Sequence, residues 1–276
     1  MFLSLLVVSI VAQAPAGETG TGSLESVRAE YRLDAKKYEF FADPQHKQPL
    51  VLVTEPIFSW TSLKDYSGDV FVWTKDGLPI LVGCMLSASS GPNRRNMIHE
   101  FHLVGESPTP PVDLPSRQRW QPVRGLARTA IDGGPVPAPT AAGRLAQLRQ
   151  LSRAFAIHME AVNGNWELRL LPQPLFRYGT EAQEVIDGAL FSYVWTTGTD
   201  PEFLLMLECR KTPEGPRWHY APVLFTTRAL RLEHNGREVW KIEAHKEPPS
   251  PSSLLYTTGF VRMFDVDAPK PVSPTR

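Results

Sequence analysis

The pentapeptides PIFSW at residues 56–60 and PLFRY at residues 174–178 decide how the rest of the chain is interpreted. Both consist of proline, an aliphatic residue, phenylalanine, a variable residue and a large aromatic residue, and they lie 118 positions apart. Recurrence at a fixed spacing is the signature of an internal repeat. The pair therefore raises the question of whether one structural unit occurs twice in the 276 residues.

Further matched stretches surround the two pentapeptides in the same order. Upstream, residues 26–43 and 143–160 both have helical character. Downstream, the offsets drift only between 120 and 122 residues: GDVFVW at 68–73 with GALFSY at 188–193, PILVGCML at 79–86 with PEFLLMLE at 201–208, and RQRW at 117–120 with REVW at 237–240. The sequence therefore predicts a tandem duplication of a unit of about 120 residues.

Each predicted unit opens with a helix and continues as strands separated by short turns. In the second unit an apolar stripe of helical period runs through Leu145, Leu148, Leu151, Phe155 and Ile157 or His158. The strands are joined by short loops such as Asn235-Gly236, whereas a parallel crossover needs a dozen or more residues. The predicted fold class is α+β, a tandem duplication of a helix packed on a curved antiparallel sheet.

The ends of the chain and the join between the units have their own composition. The apolar run Phe2–Ala12 is too short to span a bilayer and precedes Ala14-Pro15-Ala16, which predicts a signal peptide over 1–16. The alternative is a buried N-terminal strand, because no Lys or Arg precedes the run. We expect a first unit over 25–122, a Pro/Gly-rich linker over 123–142, a second unit with one or two extra C-terminal strands over 143–267, and a disordered tail over 268–276.

Charge and cysteine content narrow the class of protein. Lys plus Arg and Asp plus Glu both number 29, so no global field favours nucleic acid, and after the first residues no apolar stretch is long enough to span a membrane. Cys84 and Cys209 both sit in apolar runs, which favours buried thiols and leaves open whether they pair. An export signal predicts a secreted or periplasmic location.

Strand parity groups the aromatic residues of the matched stretches. Phe58 and Trp60 are two positions apart on one predicted strand, so their side chains point to the same side of it, and the same holds for Phe71 and Trp73 on the next strand. The counterparts in the second unit are Phe176, Tyr178, Phe191 and Tyr193. If the strands are regular, each unit carries an aromatic quartet on one sheet face. The favoured interpretation is a core under the helix. The alternative is a ligand-stacking platform that includes Trp60, Trp73, Tyr178 and Tyr193.

The stretch HEFH at 99–102 is the main candidate for chemistry. It lacks the spacing of H-E-x-x-H and lies on a predicted strand, where positions three apart point to opposite faces. His99 therefore shares a face with Phe101, and Glu100 shares the other with His102, which we expect to be exposed to solvent. His99 recurs as His219 at an offset of 120. His99, Glu100 and His219 are the candidate catalytic residues, and no metal or cofactor is predicted.

The chain as a whole resembles a family of uncharacterised exported proteins of planctomycete bacteria. The resemblance is carried by GDVFVWTKDGLP and HEFH in the first unit, the linker and helix GPVPAPTAAGRLAQLRQL, and LRLLPQPLFRY, DGALFSYVWTTGTDPEFLLMLE, RWHYAP and REVW in the second. It covers about residues 25–245. It implies export and the two-unit organisation, and no activity or catalytic residue transfers from it.

Three functions remain open from the sequence. The leading one is an exported, non-catalytic binding or scaffolding module of the cell envelope, with an envelope protein or a glycan as a possible partner. The second is a hydrolase-type enzyme with a His/Glu site in the cleft between the two units. The third is a carrier that encloses an apolar ligand within the curved sheets.

Overall fold

The computed structural model describes residues 21–62, 65–91, 93–116, 119–161, 164–180, 182–196, 198–244 and 255–266. The predicted signal peptide (1–16) and C-terminal tail (268–276) lie outside these ranges. The helices are α1 (Thr21–Ala35) and α2 (Ala141–Ser152). The strands are β1 (Val51–Leu52), β2 (Phe58–Ser62), β3 (Tyr66–Lys75), β4 (Leu78–Gly91), β5 (Arg94–Leu103), β6 (Val112–Asp113), β7 (Arg119–Trp120), β8 (Thr129–Ala130), β9 (Phe155–Ala161), β10 (Gly164–Glu167), β11 (Arg169–Leu170), β12 (Phe176–Tyr178), β13 (Val185–Val194), β14 (Pro201–Arg210), β15 (Arg217–Leu224), β16 (Leu230–His234), β17 (Arg237–Ile242) and β18 (Tyr256–Asp265).

Two six-stranded sheets hold most of these strands. Sheet I has the order β1-β3-β4-β5-β18, with β2 also paired to β3. Sheet II has the order β11-β13-β14-β15-β8, with β12 also paired to β13. A small sheet has the order β10-β9-β16-β17, and β6 pairs with β7. Every strand pair in the described residues is antiparallel, which confirms the predicted antiparallel pairing.

The two large sheets pack face to face. Alternate residues of β3, β4, β13, β14 and β15 form an inter-sheet layer that includes Val70, Cys84, Leu204, Met206 and Val223. The outer face of sheet I packs against α1, and the outer face of sheet II packs against α2 and the small sheet. Because both faces of each large sheet are covered, their central strands are buried almost throughout instead of alternating between buried and exposed positions.

Both helices end earlier than predicted, and the second predicted helix is wrong in its C-terminal half. Residues 155–161 form β9, in which the buried Phe155, Ile157 and Met159 recur with period two and pair with β16. A stripe with period 3.6 and a strand with period two share several of the same apolar positions over a short stretch, which explains the error. The start of α2 is capped by the Thr140 hydroxyl, which accepts a hydrogen bond from the Gly143 amide.

The predicted linker and the extra C-terminal strand both join the large sheets. Within residues 123–142, β8 adds an edge strand to sheet II, and Leu126 and Ile131 are buried. Strand β18, which we expected in the second unit, pairs with β5 of sheet I instead. Strand β8 forms the edge of sheet II next to β15, and β18 forms the edge of sheet I next to β5. The two added strands therefore lie at corresponding edges of the two sheets.

The two cysteines lie in different layers. Cys84 belongs to the inter-sheet layer, and Cys209 belongs to the core between sheet II and α2. Both are buried and free, which confirms the interpretation as buried thiols. No helix among the described residues is long and apolar enough to cross a membrane.

Candidate functional site

The stretch HEFH lies on β5 and divides between the two faces of sheet I, as its strand parity predicts. His99 and Phe101 face α1. Glu100 and His102 lie on the inter-sheet side, opposite Cys84 and Val82 on β4. The expected solvent exposure of this pair is wrong, because sheet II and β18 cover it: His102 is buried and Glu100 is partly buried.

His99 forms a hydrogen-bonded link between sheet I and α1. Its Nε2 donates to Asp34 Oδ2 at 3.1 Å, and the Tyr38 hydroxyl lies 2.6 Å from its Nδ1. Burial raises the pKa of Asp34, but hydrogen bonds from His99, Lys37 and Arg262 outweigh it and hold the pKa well below its usual range. A buried histidine with both nitrogens engaged by protein groups fits a structural role.

The structure does not bring His219 to His99 or Glu100. His219 lies on the inter-sheet side of β15, is partly exposed, and its nearest hydrogen-bonding group is the carbonyl of Arg217, 3.3 Å from Nδ1. In register it opposes Glu208, whereas His99 opposes Met85. His99 thus faces α1, whereas His219 lies on the inter-sheet side of sheet II. Among the described residues, no group of three or more His, Cys, Asp or Glu is placed to hold a metal ion.

The four candidate stacking residues are packed inside the protein. Trp60, Trp73, Tyr178 and Tyr193 have exposed fractions of 4%, 1%, 6% and 1%. Trp60 and Tyr178 lie in the inter-sheet layer, whereas Trp73 and Tyr193 lie on the helix sides. The aromatic quartet on one face is thus wrong: Trp60 opposes Gly68, whose parity differs from that of Phe71 and Trp73. Neighbouring side chains cover the rings that a flat ligand would need.

A pocket of about 410 Å³ lies where the edges of both large sheets meet the small sheet. We call it the junction pocket. Its lining comes from β5, the segment 124–129, β15, β17 and the start of β18. The lining residues are His102, Arg124, Gly125, Leu126, Ala127, Thr129, Pro222, Leu224, Trp240, Lys241, Ile242, Leu255 and Tyr256. The volume falls in the range of small-molecule sites, and most of the lining is apolar.

Few polar groups face the junction pocket. Among the described residues, its charged lining residues are Arg124 and Lys241, and both are basic and exposed. His102 Nδ1 lies 2.8 Å from the carbonyl oxygen of Leu103, which can only accept, so Nδ1 carries the proton. Burial, with Arg128 nearby, lowers the pKa of His102 to about 3 and keeps the ring neutral. The pocket therefore combines an apolar body, a neutral imidazole and a basic rim.

An acidic cluster adjoins the pocket between the sheets. The Tyr256 hydroxyl donates to Glu100 Oε1 at 2.9 Å, and the Thr258 hydroxyl lies 3.4 Å from the same oxygen. Burial raises the pKa of Glu100 to about 8, and the charge of Glu202 adds to the effect. Burial, with Asp200 nearby, raises the pKa of Glu202 to about 7. At neutral pH the cluster therefore holds protons that exposed carboxylates would release.

Of the sequence-predicted catalytic residues, only Glu100 lies beside the pocket. His102 was visible in the sequence through the face it shares with Glu100, but Tyr256 and Glu202 carry no local signal. No family model, curated protein or solved structure matches the chain.

Proposed function

We propose that the chain is an exported, non-catalytic binding module of the cell envelope. Its junction pocket takes a small molecule with an apolar body and an anionic group. The observation that carries this proposal is the lining of the pocket, in which apolar side chains surround the cavity and the charged residues Arg124 and Lys241 are both basic. Arginine and lysine at the rim attract a carboxylate or phosphate, while the apolar walls contribute most of the buried area.

The proposal includes the tandem duplication as the origin of the architecture. Sheet I has β1-β3-β4-β5 in the order in which sheet II has β11-β13-β14-β15. Trp60 opposes Gly68 in sheet I as Tyr178 opposes Gly188 in sheet II. An antiparallel pair follows the last consecutive strand in each half, β6–β7 after β5 and β16–β17 after β15. In this view the junction pocket formed between two copies, since its lining draws on both large sheets and the segment that connects them.

Export rests on residues 1–16 and on the resemblance to exported proteins. It places the pocket outside the cytoplasm, where small amphipathic anions from the surroundings reach the protein directly. N-terminal sequencing of the protein from its native host tests this part, with Gly17 as the expected first residue and an intact Met1 as the contrary result.

A non-catalytic role is supported by the make-up of the site. The described lining of the junction pocket contains no serine, cysteine or carboxylate, and the hydroxyl of its Tyr256 is engaged by Glu100. The three predicted catalytic residues are spread over both faces of sheet I and the inner face of sheet II. A hydrolase site that used both His99 and Glu100 would need side chains on opposite faces of sheet I.

The binding proposal is tested with 2-naphthoate, an anionic ligand with a flat apolar body. Protein labelled with ¹⁵N at tryptophan is titrated with it, and the Trp240 indole signal is assigned with Trp240→Phe. We expect a saturable shift of this signal. The Ala127→Phe variant fills the pocket from an exposed lining position and should abolish the shift, whereas Ala146→Phe on the exposed face of α2 should leave it unchanged. No saturable shift, or an equal shift in Ala127→Phe, would contradict the proposal.

A further inference from the structure

His102 is the most deeply buried polar group that faces the junction pocket. Its exposed fraction is 2%, and its side chain forms part of the pocket wall. Nδ1 is engaged by the Leu103 carbonyl at 2.8 Å. Among the described residues, no protein group makes a hydrogen bond to Nε2. Because Nδ1 is committed to the Leu103 carbonyl and the ring forms part of the pocket wall, Nε2 is the atom of this side chain with which a ligand in the pocket can form a hydrogen bond.

The tautomer determines what kind of partner this nitrogen takes. Because Nδ1 must donate to the Leu103 carbonyl, Nε2 of the neutral ring carries a lone pair and no proton. Burial, with the guanidinium of Arg128 nearby, opposes protonation of the ring and lowers its pKa to about 3. Nε2 therefore stays an acceptor at any pH at which an envelope protein works.

We propose that His102 selects ligands that carry a hydroxyl or N–H donor, by accepting a hydrogen bond from that donor at Nε2. This inference rests on the proposed function, since it concerns a ligand of the junction pocket. Combined with the basic rim, it defines the ligand class as a small amphipathic anion with a hydroxyl or amine donor on its apolar body, such as a hydroxylated carboxylic acid.

A matched pair of probes isolates the donor. The first is 6-hydroxy-2-naphthoate, and the second is 6-methoxy-2-naphthoate, which has the same ring and carboxylate but no donor. We expect the wild-type protein to bind the hydroxy compound about tenfold more tightly, the value of one hydrogen bond of about 1.4 kcal/mol. The Trp240 indole signal reports both affinities, and a long-range ¹H–¹⁵N spectrum of His102 should show Nε2 as the bare nitrogen that shifts on binding.

Two variants of His102 separate acceptance at Nε2 from a purely structural role. Asparagine places its amide near the position of Nδ1, so His102→Asn should bind both probes equally. Glutamine reaches the position of Nε2 with an acceptor oxygen, so His102→Gln should keep part of the preference. If the variants do not fold, the wild-type affinities together with the shift of the His102 Nε2 signal test the inference, and a hydroxy preference without that shift overturns it.

The outcomes distinguish this inference from the proposed function. Equal affinity of the wild-type protein for the two probes overturns the inference and leaves the binding proposal standing. A preference for the hydroxy compound that persists in His102→Asn likewise assigns the selection to another residue. Absence of saturable binding by either probe overturns both proposals.

Discussion

Two glycines explain why PIFSW and PLFRY recur. Gly68 opposes Trp60, and Gly188 opposes Tyr178, across equivalent strand pairs. A Cβ atom built on Gly68 would lie 2.6 Å from Trp60 Cζ2, and one on Gly188 would lie 2.5 Å from Tyr178 Cε2. In both sheets the ring lies over the backbone of the glycine, a contact that pins strand register. The final aromatic residue of each pentapeptide thus needs a glycine on the next strand.

Replacing Gly68 with alanine should destabilise the protein through this contact. The methyl group would force the Trp60 ring out of the inter-sheet layer, and overpacking of this kind costs about 1–3 kcal/mol. Urea unfolding of Gly68→Ala measures the cost. In a Trp60→Leu background the same change should cost much less, because the ring that the methyl group meets is gone. An equal cost in both backgrounds would show that the ring is not the reason for the glycine.

Residue faces could be predicted within a strand but not between strands. Parity alone correctly separated His99 and Phe101 from Glu100 and His102, because it depends only on the pleat of β5. The relative phase of Phe58–Trp60 and Phe71–Trp73 depends on the register of β2 against β3, and that register places the two pairs on opposite faces. The Tyr256–Glu100 contact joins residues 156 positions apart and follows only from the pairing of β18 with β5.

Helix α1 is anchored to sheet I by a buried hydroxyl as well as by apolar packing. The Tyr31 hydroxyl lies 2.9 Å from the Ser67 carbonyl oxygen, 2.8 Å from Ser67 Oγ and 2.6 Å from Ser87 Oγ. Arg95 Nε donates to Ser87 Oγ at 2.6 Å and extends the network to β5. These hydrogen bonds join residues 36 and 56 positions apart, so they depend on where the helix crosses β3 and β4, which the local sequence does not report.

Removing this hydroxyl should weaken the attachment of α1. Tyr31→Phe keeps the ring in the core but leaves the serine hydroxyls and the Ser67 carbonyl without this partner, at a cost of about 1–3 kcal/mol. Leu33→Ala on the same helix is the matched control, since Leu33 is 53% exposed and its loss should change stability by no more than about 0.5 kcal/mol. The midpoint of urea unfolding compares the two, and similar midpoints would argue against the hydroxyl network.

At the scale of the whole molecule, two long-range strand additions complete the sheets. Strand β8 arises from the Pro/Gly-rich segment between the two halves, and β18 returns from the C-terminal region to sheet I. The sequence predicted a linker where β8 lies and an extra strand of the second unit where β18 lies. Local sequence indicates which residues favour a strand, but it does not indicate which strand they pair with. Both additions frame the junction pocket: Thr129 of β8 and Tyr256 of β18 are part of its wall.

The carboxyl groups between the sheets have pKa values that are shifted in opposite directions. Burial raises the pKa of Glu208, but the guanidinium groups of Arg128 and Arg210 outweigh it and hold the pKa below its usual value. Arg128 Nε donates to Glu208 Oε2 at 2.8 Å, and Arg210 Nη1 donates to the same oxygen at 2.6 Å. Glu100 and Glu202 have no such cations at hydrogen-bonding distance among the described residues. One group of carboxyls therefore stabilises the sandwich when ionised, and the other when protonated.

This contrast predicts how the stability of the sandwich depends on pH. The pKa is about 8 for Glu100 and about 7 for Glu202 in the folded protein, against an ordinary 4.5 for an exposed glutamate. Between these values the folded state binds more protons than the unfolded state, so the free energy of unfolding falls as pH rises. Among the described residues, the main groups that act on the Glu100 carboxyl are the hydroxyls of Tyr256 and Thr258 and the carboxyls of Glu202 and Asp200, and none of these is a cation.

Glu100→Gln should remove its share of this dependence. Relative to wild type, the variant should gain stability as pH rises from about 5 to about 8, by up to about 1.4 kcal/mol per pH unit. Urea unfolding across this range measures the difference, and Glu160→Gln at an exposed position of β9 is the matched control for loss of one carboxylate. A constant difference between Glu100→Gln and wild type would mean that Glu100 ionises normally. Water would then reach the inter-sheet layer at this margin, and the junction pocket would open onto a charged carboxylate instead of a neutral acid.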